Sequence, residues 1–141
     1  MELKTKLLEM GVVEDNDYLT QYIELINSNK QTTKEKYKHQ EHHIIPKSCY
    51  KIKGLTVDNS NDNLIYLTHY NHLLAHYLLY KCSKYPFKQQ CALACKFIFG
   101  ANKMSISEIP FLDAAEYNAM IEDSIRYNSE KTVGHTMSEE S

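Results

Sequence analysis

The sequence predicts an α+β fold in which a small strand–loop–strand–helix unit sits between helical segments. Three observations lead there. Apolar residues recur at helical spacing on both sides of the middle of the chain. Two short β-type runs, His42–Ile45 and Leu64–Leu67, are separated by a loop-forming stretch. A helix with an N-capping threonine follows the second run directly. With 141 residues the chain can bury one core and is too short for two domains of ordinary size.

Taken in order, a short helix over residues 2–10 precedes a longer one over 16–28, where Leu19, Tyr22, Ile23 and Ile26 recur behind the capping-type residues Asp15 and Asn16. Asn27–Gln40 is polar, lysine-rich and aperiodic, a linker to the first strand, which Pro46 closes. Gly54, Asp58, Asn59, Ser60 and Asn61 give Lys51–Asp62 the composition of a loop, and Asn63 opens the second strand. Thr68 caps a helix running to about Lys81, with Leu74, Leu78 and Leu79 facing the core. After Tyr85-Pro86 an apolar helix covers about Phe87–Phe99 and is stopped by Gly100. A last helix covers about Asp113–Tyr127, and the polar stretch after it is expected to be poorly ordered. The segments are therefore residues 1–30 (helical), 31–82 (the strand–strand–helix core), 83–128 (helical) and 129–141 (tail).

Composition excludes several classes. Hydrophobic residues are 43% and charged residues 24%, which is outside the range of intrinsically disordered chains. No run approaches the roughly 20 apolar residues that span a bilayer, and the N-terminus lacks the apolar stretch of a signal peptide, so no membrane partner and a cytoplasmic location are expected. Cys49, Cys82, Cys91 and Cys95 form no Cys-x-x-Cys pair, which argues against a zinc ribbon or redox motif and for free, buried thiols. The formal charge of −2 hides a distribution. Residues 30–103 carry twelve lysines against Glu35, Glu41, Asp58 and Asp62, a net of +8, between flanks of −4 and −6. A basic middle of this kind can attract a phosphate backbone locally.

His42, His43, Asn63, His72 and His76 carry the chemistry. His72 and His76 are four apart and stack on one helix face, where both can grip one ion. One histidine on a helix is more often a satisfied core residue than a ligand; a pair at this spacing, with a His-His pair on an upstream strand, is a far more specific signal. Residues 42 and 43 point to opposite faces of a strand, so one can bind metal while its neighbour does something else. Three imidazoles and an open position suit a catalytic metal site better than a closed structural one.

The strings EHHIIPK, DNLIYLT and HYNHLLAH resemble the HNH, or His-Me finger, nucleases with their ββα-metal core, over about residues 40–80. The resemblance implies His43 as general base, His42, His72 and His76 as ligands of one divalent ion (Mg²⁺, Mn²⁺ or Zn²⁺), and Asn63 as the residue whose side chain orients the base. It implies phosphodiester hydrolysis on DNA, leaving a 5′-phosphate, by a nicking or homing-type enzyme acting as a monomer on duplex. GHTMSEES, from Gly134 to Ser141, is similar to the start of a short modular DNA-binding repeat, and the layout resembles free-standing HNH endonucleases of tailed phages. Lys47, Lys51 and Lys53 follow the base-bearing strand as candidate phosphate contacts. Glu41 and His69 are weaker candidates, for a contact behind a ligand histidine and for a phosphate, while His39 and His135 read as surface residues. The competing expectation is a metal-stabilised nucleic-acid or protein adaptor that keeps the fold without catalysis.

Overall fold

The computed structural model describes residues 2–30, 34–35 and 38–125. The end of the last expected helix and the whole polar tail lie outside them. The described residues form an α+β fold: α1 (Leu3–Glu9), α2 (Asp17–Ser28), β1 (His39–His43), α3 (Lys47–Ile52), β2 (Leu64–Thr68), α4 (His69–Cys82), α5 (Phe87–Ala101) and α6 (residues 114–125). β1 and β2 pair antiparallel, with His42 opposite Ile65 and Gln40 opposite Leu67, and α4 leaves β2 without a break. The two strands and the helix after them follow in the expected order, but a short helix, α3, lies in the expected loop between the strands.

Local chemistry explains most boundaries. The side chain of Asn16, not that of Asp15, caps α2 by accepting from the amides of Tyr18 (3.0 Å) and Leu19 (3.2 Å). Thr68 caps α4 by accepting from the Asn71 amide at 3.2 Å. β1 runs His39–His43 rather than His42–Ile45. The ladder ends there because the Ile44 amide turns to the Asn63 carbonyl (2.9 Å) and the Ile45 amide to the Asn63 side chain (2.8 Å), which drops both isoleucines into the core. Asn63 accordingly ends a 3₁₀ turn, Asn61–Asn63, ahead of β2 instead of opening the strand.

The stretch after Pro46 was expected to be irregular, yet Lys47–Ile52 is helical. Its end supplies the reason: Gly54 takes a left-handed conformation (φ 68°), and the amides of Gly54 and Leu55 return to the carbonyls of Lys51 (3.2 Å) and Tyr50 (2.8 Å). α5 stops by the same device, but not at Gly100, which lies within the helix. Lys103 takes the left-handed position (φ 50°), with its amide on Gly100 O (3.1 Å) and that of Met104 on Phe99 O (3.0 Å). A side chain there carries steric strain that glycine does not. Lys103→Gly is therefore expected to stabilise the chain by about 0.5–1 kcal/mol, read as a rise of a few degrees in thermal midpoint; an unchanged or lower midpoint would argue that Lys103 is not strained.

α4 is apolar on nearly every side because α2, α5 and the sheet all pack on it. Leu78 and Leu79 are buried as expected, whereas Leu73 is fully buried and Leu74 only half so. The outer segments share this core. Leu7, Leu19, Tyr22 and Ile26 lie in one cluster with Leu73, Leu79, Phe87 and Met120. The Glu14 amide bonds Cys82 O (2.7 Å) and the Lys84 amide bonds Val12 O (2.8 Å), tying the start of the chain to the α4–α5 connection. All four cysteines are buried free thiols. Among the described residues no helix is long and apolar enough to cross a membrane.

Candidate metal centre

Strand parity decides which histidine faces inward. Gln40 and His42 share a face of β1 with the buried Ile65 and Leu67 across the pair, and His42 is 2% exposed, while His43 takes the other face and is only half-buried. α4 brings His72 and His76 up against His42, with ring centroids 5.3 Å and 4.9 Å from it and 5.0 Å from each other. One ring nitrogen from each lies within 4.8 Å of the others. Two metal–nitrogen bonds of about 2.1 Å can span at most about 4.2 Å, so small ring rotations suffice for all three to meet one ion.

Electrostatics favour the same use. Burial, then the neighbouring imidazoles His76 and His72, hold His42 well below the usual histidine range. Burial lowers His72 to about 4, and burial with His72 nearby lowers His76 to about 3. All three are thus neutral at pH 7, the form that binds metal. His42 Nε2 lies 2.8 Å from the Tyr22 hydroxyl, and His72 Nδ1 lies 2.8 Å from Gln40 Oε1. His76 has no hydrogen-bond partner among the described residues and opens onto the cleft. The three can hold a metal ion.

The cleft, about 1030 Å³, is lined by His42, His43, His72 and His76 together with Glu41, Lys47 and Lys51. It therefore gathers most of the residues singled out in the sequence. Lys53 and Asn63 lie outside it, both lining a separate cavity of about 560 Å³ beside Asp58. Contrary to the expectation that it orients the base, the side chain of Asn63 makes its hydrogen bonds to Ile45 and Asp58 and not to His43. It is buried and fully engaged with backbone: it accepts from the Ile45 amide (2.8 Å) and donates to Ile45 O (3.1 Å) and Asp58 O (2.9 Å). Asn63 thus shapes the turn that carries His43, and the residue in contact with His43 is Asn59, whose Oδ1 lies 2.8 Å from His43 Nε2. His69 is exposed, and the ring of His39 accepts from the Glu35 amide (3.0 Å). His135 lies outside the described residues.

Sequence reasoning missed Tyr22, Gln40, Asn59 and the far wall of the cleft, where Gln90, Leu93, Ala94 and the 69% exposed Phe97 follow one another at helical spacing on α5. Gln40 was findable, since it sits two residues before His42 on the same strand face. Tyr22 looks like any core aromatic of an amphipathic helix. Comparison with family models, curated proteins and solved structures gives no match.

Proposed function

We propose that this chain is a metal-dependent DNA endonuclease of the HNH type, hydrolysing phosphodiester bonds with His43 as general base and one divalent ion on His42, His72 and His76. One observation carries the reading: half-buried His43 and its strand neighbour His42, which joins His72 and His76 of α4 in a neutral three-imidazole cluster, line the same cleft as two lysines.

The chain's own groups divide the work. An amide oxygen only accepts, so Asn59 Oδ1 draws the proton of His43 to Nε2 and leaves the lone pair on Nδ1 to take a proton from the attacking water. Lys47 and Lys51, exposed on α3 at the cleft edge, would hold backbone phosphates, an affinity that weakens steeply with salt. When bound, the divalent ion would offset charge developing on the scissile phosphate and on the departing 3′ oxygen. Three imidazoles favour Zn²⁺ in affinity over Mg²⁺ or Mn²⁺, which prefer oxygen ligands, so the ion that supports turnover is decided by assay across all three.

Supercoiled plasmid with Mg²⁺, Mn²⁺ or Zn²⁺ should be nicked by the chain, and EDTA should stop the reaction. Stoichiometric metal binding without nicking under any of the three ions would replace this reading with the adaptor one.

A further inference from the structure

Two hydrogen-bond chains run from backbone carbonyls to ligand histidines, and a carbonyl can only accept. That fixes the direction of every bond between. The Tyr22 hydroxyl donates its single proton to Ile44 O at 2.5 Å. Its oxygen is also 2.8 Å from His42 Nε2, so it must accept there, and His42 must carry its proton on Nε2. In the second chain, Asn102 Nδ2 donates to Ile98 O at 2.8 Å, which sets the orientation of that amide. Asn102 Oδ1 then accepts from Gln40 Nε2 at 3.0 Å, which turns Gln40 Oε1 toward His72 Nδ1 at 2.8 Å. His72 must therefore carry its proton on Nδ1.

We infer that Tyr22 and the Gln40–Asn102 pair are positioning residues that hold His42 and His72 in opposite tautomers, so that an ion is taken by Nδ1 of His42 and Nε2 of His72. This rests on the metal-binding part of the proposed function, not on cleavage. Neutral imidazole otherwise exchanges between tautomers, and a ligand in the wrong one presents a hydrogen to the ion. Tyr22 and His42 are at most 2% exposed, so no water competes for their bond. α2 thereby supplies the outer partner of His42, while β1 supplies that of His72 through Gln40, whose amide is oriented by Asn102 at the C-cap of α5.

The direct test is a long-range ¹⁵N–¹H correlation spectrum of the histidine rings in the metal-free full chain at neutral pH. His42 should appear protonated on Nε2 and His72 on Nδ1; the reverse at either residue overturns the inference. In parallel, Zn²⁺ affinity is measured by chelator competition. Tyr22→Phe and Gln40→Met should each lose about 10–100-fold, as removal of a ligand's outer hydrogen-bond partner commonly does. Gln40→Glu, which keeps an acceptor on His72, should stay within a few-fold of the parent. Gln40 is half-buried at a sheet position, so its variants report even if Tyr22→Phe folds poorly. Parental affinity in both Tyr22→Phe and Gln40→Met overturns the inference. A parent that takes up no Zn²⁺ overturns it together with the metal-site reading. A parent that binds Zn²⁺ but never nicks DNA removes only the nuclease reading, and the tautomers still decide this one.

Discussion

Replacing His43 with alanine is expected to slow plasmid nicking by about 10²–10⁴-fold, the usual contribution of a general base, while Zn²⁺ affinity stays at the parental level. The separation follows from the geometry. His43 is adjacent to a ligand in sequence, yet strand parity sends its ring to the other face, where it meets Asn59 and not the three-imidazole cluster. His76→Ala makes the contrast, because it removes a ligand and should abolish nicking and tight Zn²⁺ binding together. Asn59→Ala should cost less than His43→Ala, since it frees the base without deleting it. Single-turnover nicking and metal titration on the same preparations provide the check. Nicking at the parental rate by His43→Ala would end the proposed mechanism, and loss of metal binding in that variant would mean that His43 belongs to the cluster.

How far this arrangement could be read from the sequence depended on the range of each interaction. The i, i+4 pair His72–His76 and the parity of His42 and His43 follow from local geometry, so the cluster was legible once a strand and a helix were assigned. The helix Lys47–Ile52 was not, because what ends it is the left-handed Gly54, and a glycine among asparagines and aspartates reads equally well as loop. Asn63 stands out in the sequence, but for a contact that it does not make. Its bonds go to Ile45 and Asp58, and that can be known only when the turn between the strands has closed around it. Tyr22 and Asn102 were out of reach. Tyr22 lies 20 positions from His42, and Asn102 lies 62 from Gln40, and neither distance leaves a periodic trace. The sequence marks the side chains that could hold an ion better than the ones that keep those side chains in place.

Acidification of the metal-free chain from pH 6.5 to pH 5 is expected to lower its thermal midpoint by roughly 10 °C. Burial holds His72 at about 4 and His76 at about 3, below the value near 6.5 of an unfolded histidine. The contribution of a neutral buried histidine is complete above pH 6.5. It declines as pH falls, because the unfolded chain takes up protons that the folded one refuses, and it levels off only below the folded values. At pH 5 the loss is up to about 2 kcal/mol for each of the two residues, a large part of the 5–15 kcal/mol by which domains are ordinarily stable. The window isolates the cluster from the acidic flanks, since most carboxylates are still charged at pH 5. His76→Gln should flatten the dependence, and a midpoint that is level between pH 6.5 and 5 in the parent would mean that the imidazoles are not held neutral by burial. Zn²⁺ adds a separate contribution of about 2.7 kcal/mol when its free concentration is 100 times its dissociation constant, and EDTA removes it at pH 7 without any change in protonation. On the proposed reading, acid and chelator act on the same three side chains by different routes, one by charging the imidazoles and the other by removing the ion that their lone pairs would hold.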